Sequence, residues 1–187
     1  DVIVNPDPVH VDWSSLPFPA WDLFPLQAYR ASAHRYRLGP TLPVLCTRTC
    51  PYKCDFCPQS LFNTGGGFTT RPMERVVEEI SHLVDTYGVQ TIEVYDPTFA
   101  LRREDALKLC ELLEAKSFPL EWICNTRCDL LDTELLERMA SAGCRGIIFG
   151  VETSNNDILN ATGKALDLNT VHAVVEGCRR LGIRTIA

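Results

Sequence analysis

From residue 41 onward the apolar positions alternate between two periods. Short apolar runs occupy 43–47, 91–95, 120–126 and 147–151, and another opens within 182–187. Runs of this length read as strands. Between them the spacing is helical. Over 74–87, Val76, Val77, Ile80, Leu83, Val84 and Tyr87 share one helical face, and Gly88 stops it. The same spacing predicts helices over 105–116 (Ala106, Leu109, Cys110, Leu113), 133–142 (Leu135, Leu136, Met139, Ala140) and 168–181 (Val171, Val174, Val175, Cys178).

Strand and helix in repeated alternation predict parallel β/α winding, either an open doubly wound sheet or a barrel. Both architectures place ligands at the carboxyl ends of the strands. The unusual polar residues fall there: the cysteine-rich stretch 50–57 after the first strand, Asp96 after the second, Arg127 after the third and Glu152 after the fourth. The first 40 residues differ. They hold six of the twelve prolines, with Pro17, Pro19 and Pro25 set among Trp13, Phe18, Trp21 and Phe24. Proline blocks helix interiors and ladder pairing, while the aromatic rings are too costly to leave in water. Residues 1–40 are therefore expected to form a connector lying against a neighbouring domain surface, after an upstream domain. Residues 41–187 are expected to be a core domain cut at about the fifth strand, the whole being a piece of a longer protein.

Composition narrows the class. Of 187 residues, 45% are hydrophobic and 22% charged, which excludes wholesale disorder. No apolar run approaches the roughly 20 residues of a membrane span, and no signal peptide is evident. The net charge of −6 and a pI near 5.2 lack the footprint of a nucleic-acid binder. Nine cysteines, an odd number, suit a reducing cytoplasm with metal or redox chemistry better than a disulfide scaffold.

Cys50, Cys54 and Cys57 form a C-x3-C-x2-C array. Soft thiolates select iron–sulfur clusters, zinc or cuprous copper. Three ligands on a four-iron cluster leave one iron open to a small molecule. A structural zinc needs four ligands, and Cys46, Cys124, Cys128 or Cys144 would have to supply the fourth. Cys46, Cys110 and Cys178 sit in apolar stretches and read as core, while Cys124, Cys128 and Cys144 are most simply packing residues. Gly65, Gly66 and Gly67 suggest a mobile loop behind the array.

The array resembles that of the radical S-adenosylmethionine (radical SAM) superfamily, and more closely its cobalamin-binding branch. The resemblance rests on Leu-Pro-x-Pro-Ala-Trp-Asp at 16–22 and Cys-Pro-Tyr-x-Cys-x-Phe-Cys at 50–57. It rests also on Asp-x-Thr-Phe at 96–99, Arg127 after the third strand, and Gly-Val-Glu-Thr at 150–153. It implies an α/β fold, a partial parallel (β/α) barrel. It implies a 4Fe–4S cluster held by Cys50, Cys54 and Cys57, with S-adenosylmethionine (SAM) cleaved reductively to a 5′-deoxyadenosyl radical. Phe56 would help form the adenine site. Arg127, a planar fixed cation, suits a carboxylate such as that of the methionyl group. Glu152 would accept from ribose hydroxyls or an ammonium. Asp96 and Thr98 would offer acceptors near the amino group, where the sequence departs from the superfamily's Gly-Gly-Glu segment. No residue is assigned a catalytic role. The implied activity is cobalamin-dependent methyl transfer to an unreactive carbon, with cobalamin held upstream. The alternatives are a radical SAM cyclase or rearranging enzyme of tetrapyrrole or other secondary metabolism, a non-catalytic zinc-stabilised β/α binding module, or an electron-transfer protein. The expected partners are a small-molecule or peptide substrate and a ferredoxin- or flavodoxin-like donor.

Overall fold

A computed structural model describes residues 12, 13, 15–28, 38–59 and 67–187. Its main sheet has five strands: β1 (Thr41–Val44), β4 (Thr91–Val94), β5 (Glu121–Thr126), β6 (Cys144–Phe149) and β7 (Arg184–Ile186). All neighbouring pairs are parallel and the spatial order is β1-β4-β5-β6-β7. Two short strands, β2 (Thr47–Arg48) and β3 (Thr69–Thr70), pair antiparallel in a separate ribbon. The helices are α1 (Met73–Tyr87), α2 (Arg103–Lys116), α3 (Thr133–Ser141), α4 (Asn156–Ala161) and α5 (Leu168–Arg180).

The strand order decides between the two architectures the alternation allows. A doubly wound sheet reverses its order at a switch point and carries helices on both faces. Here each strand of the main sheet lies beside its predecessor in the chain, and α1 packs on α2, α2 on α3, and α3 on α5. These four helices form one continuous layer, the winding of a barrel, and the described strands do not close it.

Alternation along the strands explains the packing. Leu42, Val44, Ile92, Val94, Trp122, Cys124, Ile147 and Phe149 face the helices and join Val76, Ile80, Leu83, Leu109, Leu135 and Met139 in one core. Fully burying side chains of this size stabilises by about 1.5–3 kcal/mol each. Pro43, Glu93 and Ile123, paired across the ladders at alternate positions, stand on the opposite face. Trp122 anchors the middle of the core: its indole N–H donates to the Ala142 carbonyl at 2.8 Å and its ring meets Phe99 edge to face. Gly146 lies so close to β5 that a Cβ there would stand 2.8 Å from Ile123 Cγ2.

The observed elements depart from the expected ones at particular points. The first strand ends at Val44 rather than Thr47, because the Cys46 and Thr47 amides turn away to the Asp96 side chain. The fourth predicted strand starts earlier, at Cys144. The described part of the N-terminal segment lies on this domain itself. Phe18 stacks on His82 of α1 under the Arg75 guanidinium, and Trp21 and Leu26 pack against the core. Residues 1–11, 14 and 29–37 of the expected connector, and Gly65 and Gly66 of the expected mobile loop, lie outside the described residues. Among the described residues no helix is long and apolar enough to cross a membrane.

Candidate active site

The cysteine array lies on the excursion between β2 and β3. At its start Thr49 adopts φ +63°, a left-handed conformation rare for a β-branched residue. Its hydroxyl lies 2.7 Å from the Gly67 carbonyl oxygen across the neck of the loop. Cys50 and Cys54 are buried and Cys57 is half-buried, its N–H donating to the Cys54 carbonyl at 3.0 Å. The Cys50 Sγ is 3.4 Å from the Thr98 hydroxyl, which itself donates to the Pro97 carbonyl. The Asp55 N–H donates to the Thr162 carbonyl at 3.1 Å, so the loop rests on the segment following α4.

The predicted strand-end residues gather around this loop, each with its own partners. Arg127 is 7% exposed. Its Nε and one terminal nitrogen bind the two Asp129 oxygens at 2.9 and 2.8 Å, and that nitrogen also reaches the Lys164 carbonyl at 2.8 Å. Its Cζ sits over the Tyr52 ring, 4.0 Å from the centroid. Glu152 sits at φ +70° and accepts from the Lys164 ammonium at 2.8 Å. That ammonium lies 5.7 Å from the centroid of the Phe56 ring, which is 49% exposed. Gly150 leaves room for the pair, since a Cβ there would fall 2.5 Å from Glu152 Oε1 and 2.6 Å from Lys164 Nζ.

Asp96 points differently. It is 1% exposed, and its Oδ1 accepts from the Cys46 N–H at 2.8 Å and the Thr47 N–H at 3.0 Å. Its Oδ2 is buried with no hydrogen-bond partner among the described residues. Burial pushes its carboxyl up to about 6, against the opposing pull of those amides.

Lys164 is the residue that sequence reasoning did not single out. It is 6% exposed, and it touches the site from both ends, by its ammonium to Glu152 and by its carbonyl to Arg127. Nothing local marks it, because it follows a helix of six residues and belongs to none of the motifs. A cavity of about 420 Å³ lined by Trp13, Leu16, Trp21, Leu45, Arg48 and Tyr95 includes none of the predicted site residues.

The donor set has a definite chemical character. Three thiols from one short loop stand at the carboxyl edge of the sheet, while Cys46, Cys110, Cys124, Cys128, Cys144 and Cys178 are buried in the core. Burial pushes the Cys110 and Cys178 thiols up to about 12 and Cys128 to about 11. Among the described residues no three His, Cys, Asp or Glu side chains converge as ligands of one metal ion. Three soft thiols on one short loop are a donor set of the kind iron–sulfur clusters take.

Comparison with known proteins agrees. The chain is 27% identical to an uncharacterized methyltransferase of Pyrococcus horikoshii, over 97% of this chain and 38% of that protein. It is 27% identical to the cytidylyl-2-hydroxyethylphosphonate methyltransferase of Streptomyces wedmorensis, over 90% of this chain and 32% of that one. The chain thus spans about a third of the length of these relatives. The fold matches the radical SAM methyltransferase TsrM from Kitasatospora setae with a TM-score of 0.69 at 22% identity, covering 78% of this chain and 29% of that one. The model of the radical SAM superfamily matches residues 44–187. The chain belongs to that superfamily of enzymes, whose shared cofactors are a 4Fe–4S cluster and SAM.

Proposed function

We propose that this chain is the core portion of a cobalamin-dependent radical SAM methyltransferase acting on an unreactive carbon. The observation that carries the reading is the trio Cys50, Cys54 and Cys57 at the carboxyl edge of a barrel-type sheet. Relatives named for methyl transfer at carbon support it: a bacteriochlorophyllide d C-12(1)-methyltransferase from Chlorobaculum tepidum and a tryptophan 2-C-methyltransferase from Streptomyces laurentii. A TsrM structure with cobalamin and a 4Fe–4S cluster bound supports the cofactor. Ring-forming chemistry is the second reading, favoured by 32% identity over 111 residues to an anaerobic magnesium-protoporphyrin IX monomethyl ester cyclase. Residues 1–40 would connect this core to the part of the longer protein that holds cobalamin. A ferredoxin- or flavodoxin-like protein of the cytoplasm would supply electrons.

When bound, the cluster supplies the electron that cleaves SAM, and cobalamin supplies a methyl carrier. The chain's own residues bind and orient. Cys50, Cys54 and Cys57 would hold the cluster. The exposed Phe56 ring offers a face for adenine stacking, beside Glu152, whose carboxylate can accept from ribose hydroxyls. The Arg127 Nε and one terminal nitrogen are engaged by Asp129 and the Lys164 carbonyl. In this reading Arg127 holds Tyr52 and the loop and offers its other terminal nitrogen to the methionyl carboxylate, with the Lys164 ammonium a second cation at the same rim. Thr98, against Cys50, lines the same edge.

The test is anaerobic reconstitution of the whole protein with iron and sulfide. The reduced protein should give a four-iron EPR signal that changes on adding SAM, Cys54→Ala should abolish it, and labelled methyl transfer should require cobalamin. Tight zinc and no iron signal would overturn the reading.

A further inference from the structure

The chain leaves the sheet at Leu45 and returns at Arg71, and two side chains hold the crossing. On the outgoing strand, one oxygen of Asp96 takes both the Cys46 and Thr47 amides, across about fifty residues of sequence. On the return, the Arg71 N–H donates to the Cys46 carbonyl at 2.8 Å and its guanidinium donates to the Leu45 carbonyl at 2.9 Å. The other end of that fork binds Glu79 of α1 at 2.6 Å, with side-chain exposures of 12% and 3%. Beyond this neck the ribbon has only two residues per strand, Thr47 facing Thr70 and Arg48 facing Thr69. So short a ribbon is marginal by itself, and its register must come from groups outside it.

From this geometry we infer that Asp96 is a positioning residue. With the buried Arg71–Glu79 pair it clamps the neck of the loop carrying Cys50, Cys54 and Cys57, and it makes no contact with SAM. The inference rests on the proposed reading of those cysteines as cluster ligands. An acidic residue that met the ammonium of SAM would present an oxygen at the surface of the site. Asp96 is turned inward, toward the backbone of the preceding strand. Thr98, two residues on, meets Cys50, so the segment that fixes the neck also touches the first cysteine of the array. Displacement of the neck moves the Cys50 thiolate relative to the strand ends, and cluster potentials respond to the hydrogen bonding and solvent exposure of their sulfurs.

The carboxylate and its amide isostere separate the two roles. In Asp96→Asn the carbonyl oxygen still accepts from both amides, but the charge that would attract an ammonium is gone. Asp96→Ala removes the acceptor. In the whole protein, Asp96→Asn should keep the SAM dissociation constant, the cluster midpoint potential and the amide exchange of Cys46 and Thr47 at wild-type values. Asp96→Ala should shift the potential and speed exchange at Cys46 and Thr47 by about tenfold or more. Arg71→Lys, which cannot span both Leu45 and Glu79, should do the same and serves if Asp96→Ala does not fold. A weakening of SAM binding by about tenfold in Asp96→Asn, the cost of losing a charged hydrogen bond, would overturn the inference. So would unchanged exchange in both loosening variants. Exchange measured on the iron-free protein reads the clamp whether or not iron binds, whereas failure of the cluster reading appears as absent iron signal in the wild type.

Discussion

The Arg127 guanidinium carbon sits over the Tyr52 ring, 4.0 Å from its centroid, and ties the cysteine loop to the end of β5. Its Nε and one terminal nitrogen are engaged by Asp129 and by the Lys164 carbonyl, so one side chain joins the loop, the strand end and the segment after α4. Such a three-way contact needs a planar fork with a stackable face, which lysine lacks.

Arg127→Lys should therefore destabilise the domain by about 2 kcal/mol, through the lost charge-assisted hydrogen bonds and ring contact. Iron retained per protein after reconstitution should fall with it. Thermal unfolding and iron analysis check both, and wild-type values for the two would count against a tie through Arg127.

The raised carboxyl of Asp96 makes stability depend on pH. Its folded value of about 6 stands above the ordinary 3.8, so between about pH 4 and pH 6 the folded protein holds a proton that the unfolded chain has released. Stability contributed by this group is lost as pH rises through that window, by at most about 3 kcal/mol, and the loss is constant above it. Asp96→Asn removes the titration. The stability of the variant relative to wild type should climb between pH 4 and pH 6 in urea unfolding of the metal-free protein; parallel curves would exclude the effect.

Gly150→Ala is expected to separate stability from ligand affinity. The new methyl meets the movable ends of Glu152 and Lys164 rather than backbone, so melting should change little while the pair is pushed apart. If Glu152 and Lys164 hold SAM, its dissociation constant in the reconstituted protein should rise by about tenfold, the scale of one charged hydrogen bond. Equal affinity in the two proteins would remove the pair from the SAM site.

Alkylation should divide the thiols. In the folded metal-free protein Cys57, half-buried, should be labelled first, while Cys110, Cys124, Cys144 and Cys178, enclosed in the core, should react only after unfolding. Mass mapping of the labelled peptides reads the order, and early labelling of the core cysteines would contradict the packing described.

The repeating helices and the parallel strands were legible because long amphipathic stripes and buried apolar runs carry their own period. The stripe Val76, Val77, Ile80 and Leu83 is buried as its spacing implies. The β2–β3 ribbon and α4 were not legible, since two residues per strand and six in a helix are too few to establish periodicity. The residue types at the strand ends were readable, but their partners were not. Asp96 meets amides near position 46, and Arg127 meets a carbonyl at 164, contacts that exist only once the sheet brings the ends together. Lys164 escaped for the same reason.

Because the helices line a single side of the sheet, with the cysteine loop and its neighbours all at one rim, the two rims answer to different demands. Turns at the opposite rim, such as that at Gly143, where a Cβ would press on the Leu120 carbonyl, hold none of the candidate site residues and answer to packing. A library of random variants selected separately for solubility and for turnover should thus lose solubility chiefly through one end of the molecule and turnover chiefly through the other.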